Sequence, residues 1–303
     1  MTNIKPTLTI GIPAYNEERN IVTLVRSIFA QSTMNTYKID KIIVVSDGST
    51  DETARLVKTN FGTKVMLIDN KERRGLAQTL NSIIEMSKSD ILVTLDADIE
   101  LVGKQFVQKL IAPILFESAD YTTSSIQEKS PRSYFEKCLA LSMELKRSIY
   151  SNIGDGNNVY TSYGLARGYS RRFYQDLRYP ISIGNDMYSY FFALNHKYKF
   201  VHAAKAIARY RLPSTAKDSS SQSIRFINAK KQMAEYFDQS LVGDSLKIPL
   251  VAYLRSSAFC LQRMVTNPLK VFVYASYLIY GLLLSRYVIT EDLWVISTSS
   301  KYE

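Results

Sequence analysis

The sequence has little of the chemistry that most readily identifies a chain. It has two cysteines in 303 residues, Cys138 and Cys260. Two cannot staple a chain this long, which excludes a secreted disulfide scaffold. Two histidines, His196 and His202, exclude most zinc sites and argue against a Ser-His-Asp triad. Residues Met1 to Thr7 are polar and hold no apolar core, so no signal peptide is expected. No internal repeat or low-complexity segment is evident. The chain is 46% hydrophobic and 22% charged, which argues for a folded protein and against disorder. Its length predicts about two domains. Charge is one-sided: 38 Lys and Arg against 28 Asp and Glu give a net +10. That excess favours phosphate-bearing ligands, nucleic acid or an anionic membrane surface.

The first hundred residues alternate between two patterns. Leu8–Ile12, Ile42–Val45, Val65–Ile68 and Ile91–Leu95 are short apolar runs of the kind that form buried strands. Between them, Glu17–Gln31, Asp51–Asn60 and Gly75–Lys88 carry apolar residues at helical spacing. Buried strands separated by amphipathic helices predict a parallel sheet covered on both faces, a doubly wound α/β domain. Phe106–Phe116 and Tyr134–Tyr150 read as helices, Ile153–Asn158 as a loop and Ser214–Ser223 as a polar loop.

Polar motifs follow three of these strands, and ligands of open parallel sheets bind at the strands' carboxyl ends. Asp96-Ala97-Asp98 follows the fourth strand. Two carboxylates so placed suit a hard divalent cation, Mg²⁺ or Mn²⁺, held together with substrate phosphates; the plain alternative is a solvated acidic turn. Ser46-Asp47-Gly48-Ser49-Thr50-Asp51 follows the second strand. There Asp47 could accept hydrogen bonds from a base or ribose, or the segment could serve only as turn and helix cap. Pro13-Ala14-Tyr15-Asn16-Glu17-Glu18 follows the first strand, and Arg73-Arg74-Gly75 opens the helix after the third, where cations favour phosphate.

These segments, in this order and spacing, resemble the inverting nucleotide-sugar glycosyltransferases of family 2, which have the GT-A fold. The resemblance rests on Ile12–Glu18, Val44–Thr53, Arg74-Gly75 with Asn81, and Leu95–Asp98; it is close over about residues 7–100 and looser to about 230. It implies that Pro13, Tyr15, Glu17, Asp47 and Arg74 line the nucleotide pocket, and that Asp96 and Asp98 form the metal and diphosphate site. Ser46 stands where the family often has a first Asp. The general base is expected at Asp186, in Gly184-Asn185-Asp186 before the apolar run Met187–Leu194; helix capping is its alternative role. Gln222 and Arg225 match a Gln-x-x-Arg spacing that in the family helps hold diphosphate and acceptor, with Phe226 in place of Trp; an amphipathic helix start is the other reading. Tyr163–Arg172 would lie near the acceptor, where Tyr and Arg suit a sugar or lipid phosphate, or would form a half-buried strand and an exposed helix start.

The C-terminal part differs in character. Ile248–Met264 places Arg255, Gln262 and Arg263 on one helical face and Leu250, Val251, Leu254, Ala258 and Leu261 on another. Val271–Leu284 is almost wholly apolar between Lys270 and Arg286, but short against the ~17–25 residues of a spanning helix. Trp294 and several tyrosines nearby suit a membrane interface. Lys199 to Lys231 holds eight Lys or Arg against one Asp218, a basic stretch for diphosphate, lipid phosphate or headgroups, or a merely solvated face. No groove-reading motif or aromatic RNA platform is present, so nucleic acid is not expected.

The expected organisation is a GT-A catalytic domain over 1–235 and a helical membrane-associating region over 236–303, whose most inserted form would be a short transmembrane helix at about 268–289. The expected activity is inverting transfer of a sugar from a nucleoside-diphosphate donor, a UDP-sugar first, to a saccharide or lipid-linked acceptor in cell-surface polysaccharide or glycolipid synthesis. The catalytic domain is expected on the cytoplasmic side of the cell membrane. A nucleotidyltransferase is the enzymatic rival, although it would carry a Gly-rich basic loop where Pro13-Ala14-Tyr15-Asn16 stands. A phosphatase fits less well, with no partner motif for its aspartate. A degenerate glycosyltransferase serving as a membrane-bound scaffold is the non-enzymatic rival.

Overall fold

The computed structural model describes residues 5–181 and 184–285, the last six by their backbone alone. The chain opens with β1 (Thr7–Ala14), α1 (Ile21–Phe29), β2 (Lys38–Asp47), α2 (Thr53–Phe61), β3 (Met66–Asn70), α3 (Leu76–Met86) and β4 (Ile91–Leu95). There follow β5 (Glu100–Leu101), α4 (Phe106–Phe116), β6 (Tyr121–Glu128), α5 (Tyr134–Tyr150), β7 (Ala166–Ser170), α6 (Arg171–Asp176), α7 (Asn185–Asn195) and β8 (Phe200–Tyr210). The rest is helical: α8 (Ala216–Tyr236), α9 (Gln239–Ser245), α10 (Leu250–Thr266) and α11 (Pro268–Ser285).

The sheet runs in the order β3-β2-β1-β4-β7-β6-β8-β5. Its first four strands are parallel, as the apolar runs predict, and β7 joins β4 antiparallel. Leu8, Ile10, Ile12, Val44 and Val93 face α1 and α4 in one continuous core. Each such side chain contributes about 1.5–3 kcal/mol by burial. The opposite face takes α3. Gly11 makes that approach possible, since a Cβ there would stand 2.2 Å from Ile83 of α3.

The chain divides into two compact units. One takes in Met1–Gln127 and Ser162–Tyr210, the other Glu128–Thr161 and Arg211–Glu303. The first contains the sheet and its covering helices. The second contains α5 and α8–α11. In it, α10 packs on α5 through its small side, with Ala252 and Ser256 buried, and Arg263 pairs with Glu144 of α5 at 2.7 Å.

Two expectations change. Ser214–Ser223 is not a loop throughout: from Ala216 onward it forms the first turns of α8. Thr215 caps the helix by accepting the Asp218 N–H, and Ser221 and Ser223 bond back to carbonyls four residues earlier, so the serines lose their local rivals to helix formation. Arg263 is half-exposed and pairs with Glu144 of α5, while Arg255 is exposed without that restraint. The transmembrane helix expected at about 268–289 is also corrected. Among the described residues no helix is long and apolar enough to cross a membrane. Residues 286–289 and Trp294 lie outside the described residues.

Candidate active site

Three loops at the carboxyl edge of the parallel strands are laced to one another. Asn16, in the left-handed region at φ 52°, ends the β1 turn; its side chain accepts the Thr50 N–H, and its own N–H donates to Ser49. The Glu17 N–H donates to Thr53 Oγ1 at 2.7 Å, and the Glu18 N–H to Asp51. The loops after β1 and β2 therefore form one polar platform. Gly48, at φ 69°, lets the segment before α3 close over it: a Cβ there would stand 2.5 Å from the Arg73 nitrogen.

Asp47 joins the third loop. Its two carboxylate oxygens accept the N–H groups of Arg74 and Gly75, each at 2.8 Å, at the entrance to α3. The residue read from sequence as a base or ribose contact thus has a structural task too, shaping the loop that presents Arg74. Both oxygens keep a lone pair for a ligand. The Arg74 side chain is exposed, whereas Arg73 lies with its guanidinium 4.4 Å from the centre of the Tyr15 ring. That stack is worth about 0.5–1 kcal/mol and fixes the Tyr15 ring in the loop after β1. Pro13 is half-buried opposite Val45.

Asp96 follows β4, and its N–H continues the antiparallel ladder to the Leu165 carbonyl at 2.9 Å. Burial and the neighbouring Asp98 push its carboxyl up to about 8; Asp186 and Glu17 push the same way, and Arg167 opposes them. Carboxylates from three separate stretches, Glu17, the Asp96-Asp98 loop and Asp186, therefore meet in their effect on Asp96 at this edge. Asp186 stands in the first turn of α7, after Gly184 rather than at the cap itself, and its Oδ1 accepts the Met187 N–H at 2.8 Å. Gly164 lies against it: a Cβ there would stand at ordinary contact distance, 3.4 Å, from the Asp186 Cβ. Glu17 is buried and accepts the Asn20 side chain at 2.8 Å.

The structure brings Pro13, Tyr15, Glu17, Asp47, Arg74, Asp96, Asp98 and Asp186 to the first unit. Gln222 and Arg225 belong to the second, half-buried one turn apart on α8. Of the Tyr163–Arg172 segment, Ala166–Ser170 is the strand β7. Arg172 is committed to Asp120, with Nη2 at 2.6 Å from Oδ2, and Arg171 lies 4.0 Å from Asp90. The basic stretch from Lys199 is split between β8 and α8 and so between the two units. The buried Arg167 is the site residue that charge patterning passes over. Its only sequence signal is a cation between Ala166 and Gly168 in a strand with no room for a solvated side chain.

Residues 9–178, more than half of the chain, match the family model for glycosyl transferase family 2. The chain belongs to this family. It is 26% identical over 225 residues to glycosyltransferase GlyA of Streptococcus pneumoniae, covering 68% of this chain and 30% of that protein. It is 28% identical over 162 residues to the 4,4'-diaponeurosporenoate glycosyltransferase of Staphylococcus aureus, covering 52% of this chain and 42% of that one. The chain thus spans less than half the length of these curated relatives. Among solved structures, the mannosyltransferase PcManGT of Pyrobaculum calidifontis, in complex with GDP-Man and Mn²⁺, superposes with a TM-score of 0.56 at 16% identity, over 96% of this chain and 78% of that one. Glucosyl-3-phosphoglycerate synthase of Mycobacterium tuberculosis, in complex with Mn²⁺, UDP-Glc and phosphoglyceric acid, gives 0.53 at 18% identity, over 74% and 78%. These likenesses establish the GT-A type of the fold for the family member described here.

Proposed function

We propose that this family 2 member transfers a sugar from a nucleoside-diphosphate donor, a UDP-sugar first, to a hydroxyl of a saccharide or lipid-linked acceptor, with inversion at the anomeric carbon. The observation that carries this reading is the Asp96-Asp98 pair directly after β4, where Asp96 also feels the charges of Asp186 and Glu17, beside the loop that Asp47 holds.

A divalent cation fits the residues present. Among the described residues no three His, Cys, Asp or Glu gather as a complete protein cage. Asp96 and Asp98, two carboxylates that repel one another at a strand end, match the pattern in which Mg²⁺ or Mn²⁺ takes one or two carboxylates and completes its shell with donor phosphates. When bound, the cation supplies charge neutralisation for the departing diphosphate.

The remaining steps belong to the chain. Tyr15, held by Arg73, provides a face for the base, and Asp47 keeps Arg74 at the phosphate side of the pocket. Asp186 accepts the proton of the acceptor hydroxyl as its oxygen bonds to the anomeric carbon from the far side. The bond from that carbon to the diphosphate oxygen breaks, and the nucleoside diphosphate leaves with the electron pair. The apolar side chains exposed on α10 and α11, among them Leu254, Leu261, Val265 and Phe272, support attachment at the cell membrane. The net charge of +10 supports its cytoplasmic face, where anionic lipids attract cations, for a role in polysaccharide or glycolipid synthesis.

A thermal-shift panel of UDP, GDP and dTDP, each with and without Mn²⁺ or Mg²⁺, tests the reading. A ligand at ~100 times its Kd adds about 2.7 kcal/mol to stability. A shift that requires both nucleotide and metal, and that disappears in Asp98→Ala, is the expected result. Indifference to every nucleotide with either metal overturns it.

A further inference from the structure

Arg167 is 1% exposed, the largest fully buried side chain of the molecule's described core. It lies on β7 opposite Thr94 of β4, between Tyr121, Tyr169 and Tyr179. Its contacts are thin for five donors: Nη1 lies 3.4 Å from the Tyr179 hydroxyl, and its charge 5.9 Å from that ring, while Nε is buried without a hydrogen-bond partner. A buried guanidinium is strongly disfavoured unless an anion answers it.

The ladder places that anion. Opposed residues of an antiparallel pair share a face, so Thr94 and Arg167 point to the same side, toward α3. Thr94 reaches the Tyr169 hydroxyl at 3.4 Å on that side. Asp96, two residues beyond Thr94 and still bonded into the ladder through Leu165, returns to the same side, diagonal to Arg167. Such diagonal neighbours are within reach of a long side chain. The tyrosine hydroxyls behind Arg167 are linked in turn: Tyr169 to Tyr179 at 3.0 Å and Tyr179 to Ser189 at 2.7 Å. They form a rigid polar wall that fixes where the guanidinium sits.

We propose that Arg167 is a positioning residue of the donor site: from beneath the sheet edge its fixed charge holds the Asp96 carboxylate against Asp98, Asp186 and Glu17, in the place where it meets donor and metal. The proposal rests on the donor-site reading above and adds a residue to it. An arginine whose only work was packing would be replaced at little cost by an apolar side chain of like volume. Here such a replacement removes the counter-charge from Asp96.

Four variants test this: Arg167→Met, Arg167→Lys, Asp96→Asn and the double Arg167→Met/Asp96→Asn. Binding of Mn²⁺ with UDP or GDP is measured by calorimetry, and stability by urea unfolding. Arg167→Met is expected to weaken nucleotide binding in the presence of Mn²⁺ about tenfold or more. Arg167→Lys, which keeps the charge, should restore most of the loss. In the Asp96→Asn background Arg167→Met should change affinity no further. A folded Arg167→Met that binds as wild type, a folded Arg167→Lys that does not recover, or full additivity with Asp96→Asn would overturn the proposal. Should Arg167→Met not fold, Arg167→Lys and a folded double variant carry the test: wild-type-like binding by the first and binding equal to Asp96→Asn by the second support it, and any other affinity overturns it. If wild type binds neither nucleotide, the donor-site reading is what fails. The unfolding cycle then decides on the pair alone: strong coupling between positions 96 and 167 supports it, and additivity rejects it.

Discussion

The side chain of Asn81 spans the backbone of Tyr179, donating from Nδ2 to its carbonyl and accepting its N–H at Oδ1, each at 2.9 Å. Ninety-eight residues of chain separate the two. The bond pair ties α3, which carries the Arg74 loop at its start, to the segment whose tyrosine hydroxyl touches Arg167, Tyr169 and Ser189. Asn81→Ala removes both bonds and leaves a buried N–H and C=O unanswered. The expected cost is about 2 kcal/mol, read as a lower urea midpoint with an unchanged slope. A midpoint equal to wild type would show that water replaces the amide.

Asp186 gives a prediction that separates stability from turnover. Asparagine keeps an acceptor for the Met187 N–H, so the first turn of α7 stays closed. It cannot take a proton. Asp186→Asn should therefore unfold like wild type and bind the donor nucleotide normally, with turnover lower by about 10²-fold or more. Sugar transfer at the wild-type rate in that variant would move the base elsewhere.

The parallel half of the fold is legible because Ile42–Val45 and Ile91–Leu95 are continuous buried runs, and a strand covered on both faces has no alternation to misread. Phe106–Phe116 and Tyr134–Tyr150 are found at their full length for the corresponding helical reason. The start of α8 is not legible, because serines carry the same signal in a loop and in a capped helix; only the bonds they make back to the preceding turn distinguish the two. In the site, Asp96, Asp98 and Asp47 are announced by the strands they follow. The approach of Asp186 to Asp96 is not, since it depends on how far α7 carries a residue ninety positions away, and it enters the sequence reading through family resemblance alone. The role of Arg167 is hidden for a simpler reason: sequence gives its charge but not its burial.

Asp120 supplies a prediction about acid. It is 1% exposed at the start of the β6 segment, where burial alone would push its carboxyl up. The hydrogen bonds from Arg172, the Lys199 N–H and Ser170 outweigh that, and they hold it below the usual carboxylate range. A group depressed in the folded state adds stability that is present above its unfolded value, about 3.9, and that is lost as pH falls through the folded value. Wild type should therefore lose this contribution progressively below about pH 4. Asp120→Asn should be less stable at pH 7 by about 1–3 kcal/mol and should show a shallower acid slope. Parallel stability profiles from pH 7 to pH 3 for the two proteins would refute the assignment.

The last prediction concerns the outer face of α10. Leu250, Leu254, Leu261 and Val265 fall at helical spacing, and each leaves more than 60% of its surface in solvent, while Ala252 and Ser256 turn inward. Arg255 is exposed beside the stripe, where it can meet lipid phosphate. A helix so divided is expected to lie in the plane of a bilayer, with its leucines below the headgroups and its cation among them. Wild type should sediment with vesicles containing an anionic lipid, and less so in high salt. Leucines contribute about 1.5–3 kcal/mol each when buried. Leu254→Glu with Leu261→Glu should therefore lower vesicle partition at least about 100-fold. Circular dichroism and the nucleotide thermal shift should be unchanged in that variant, because neither residue belongs to the unit that carries Asp96. A wild-type protein that stays in the supernatant, or a variant that sediments with it equally, would remove the membrane from the account and leave the stripe as a surface without lipid.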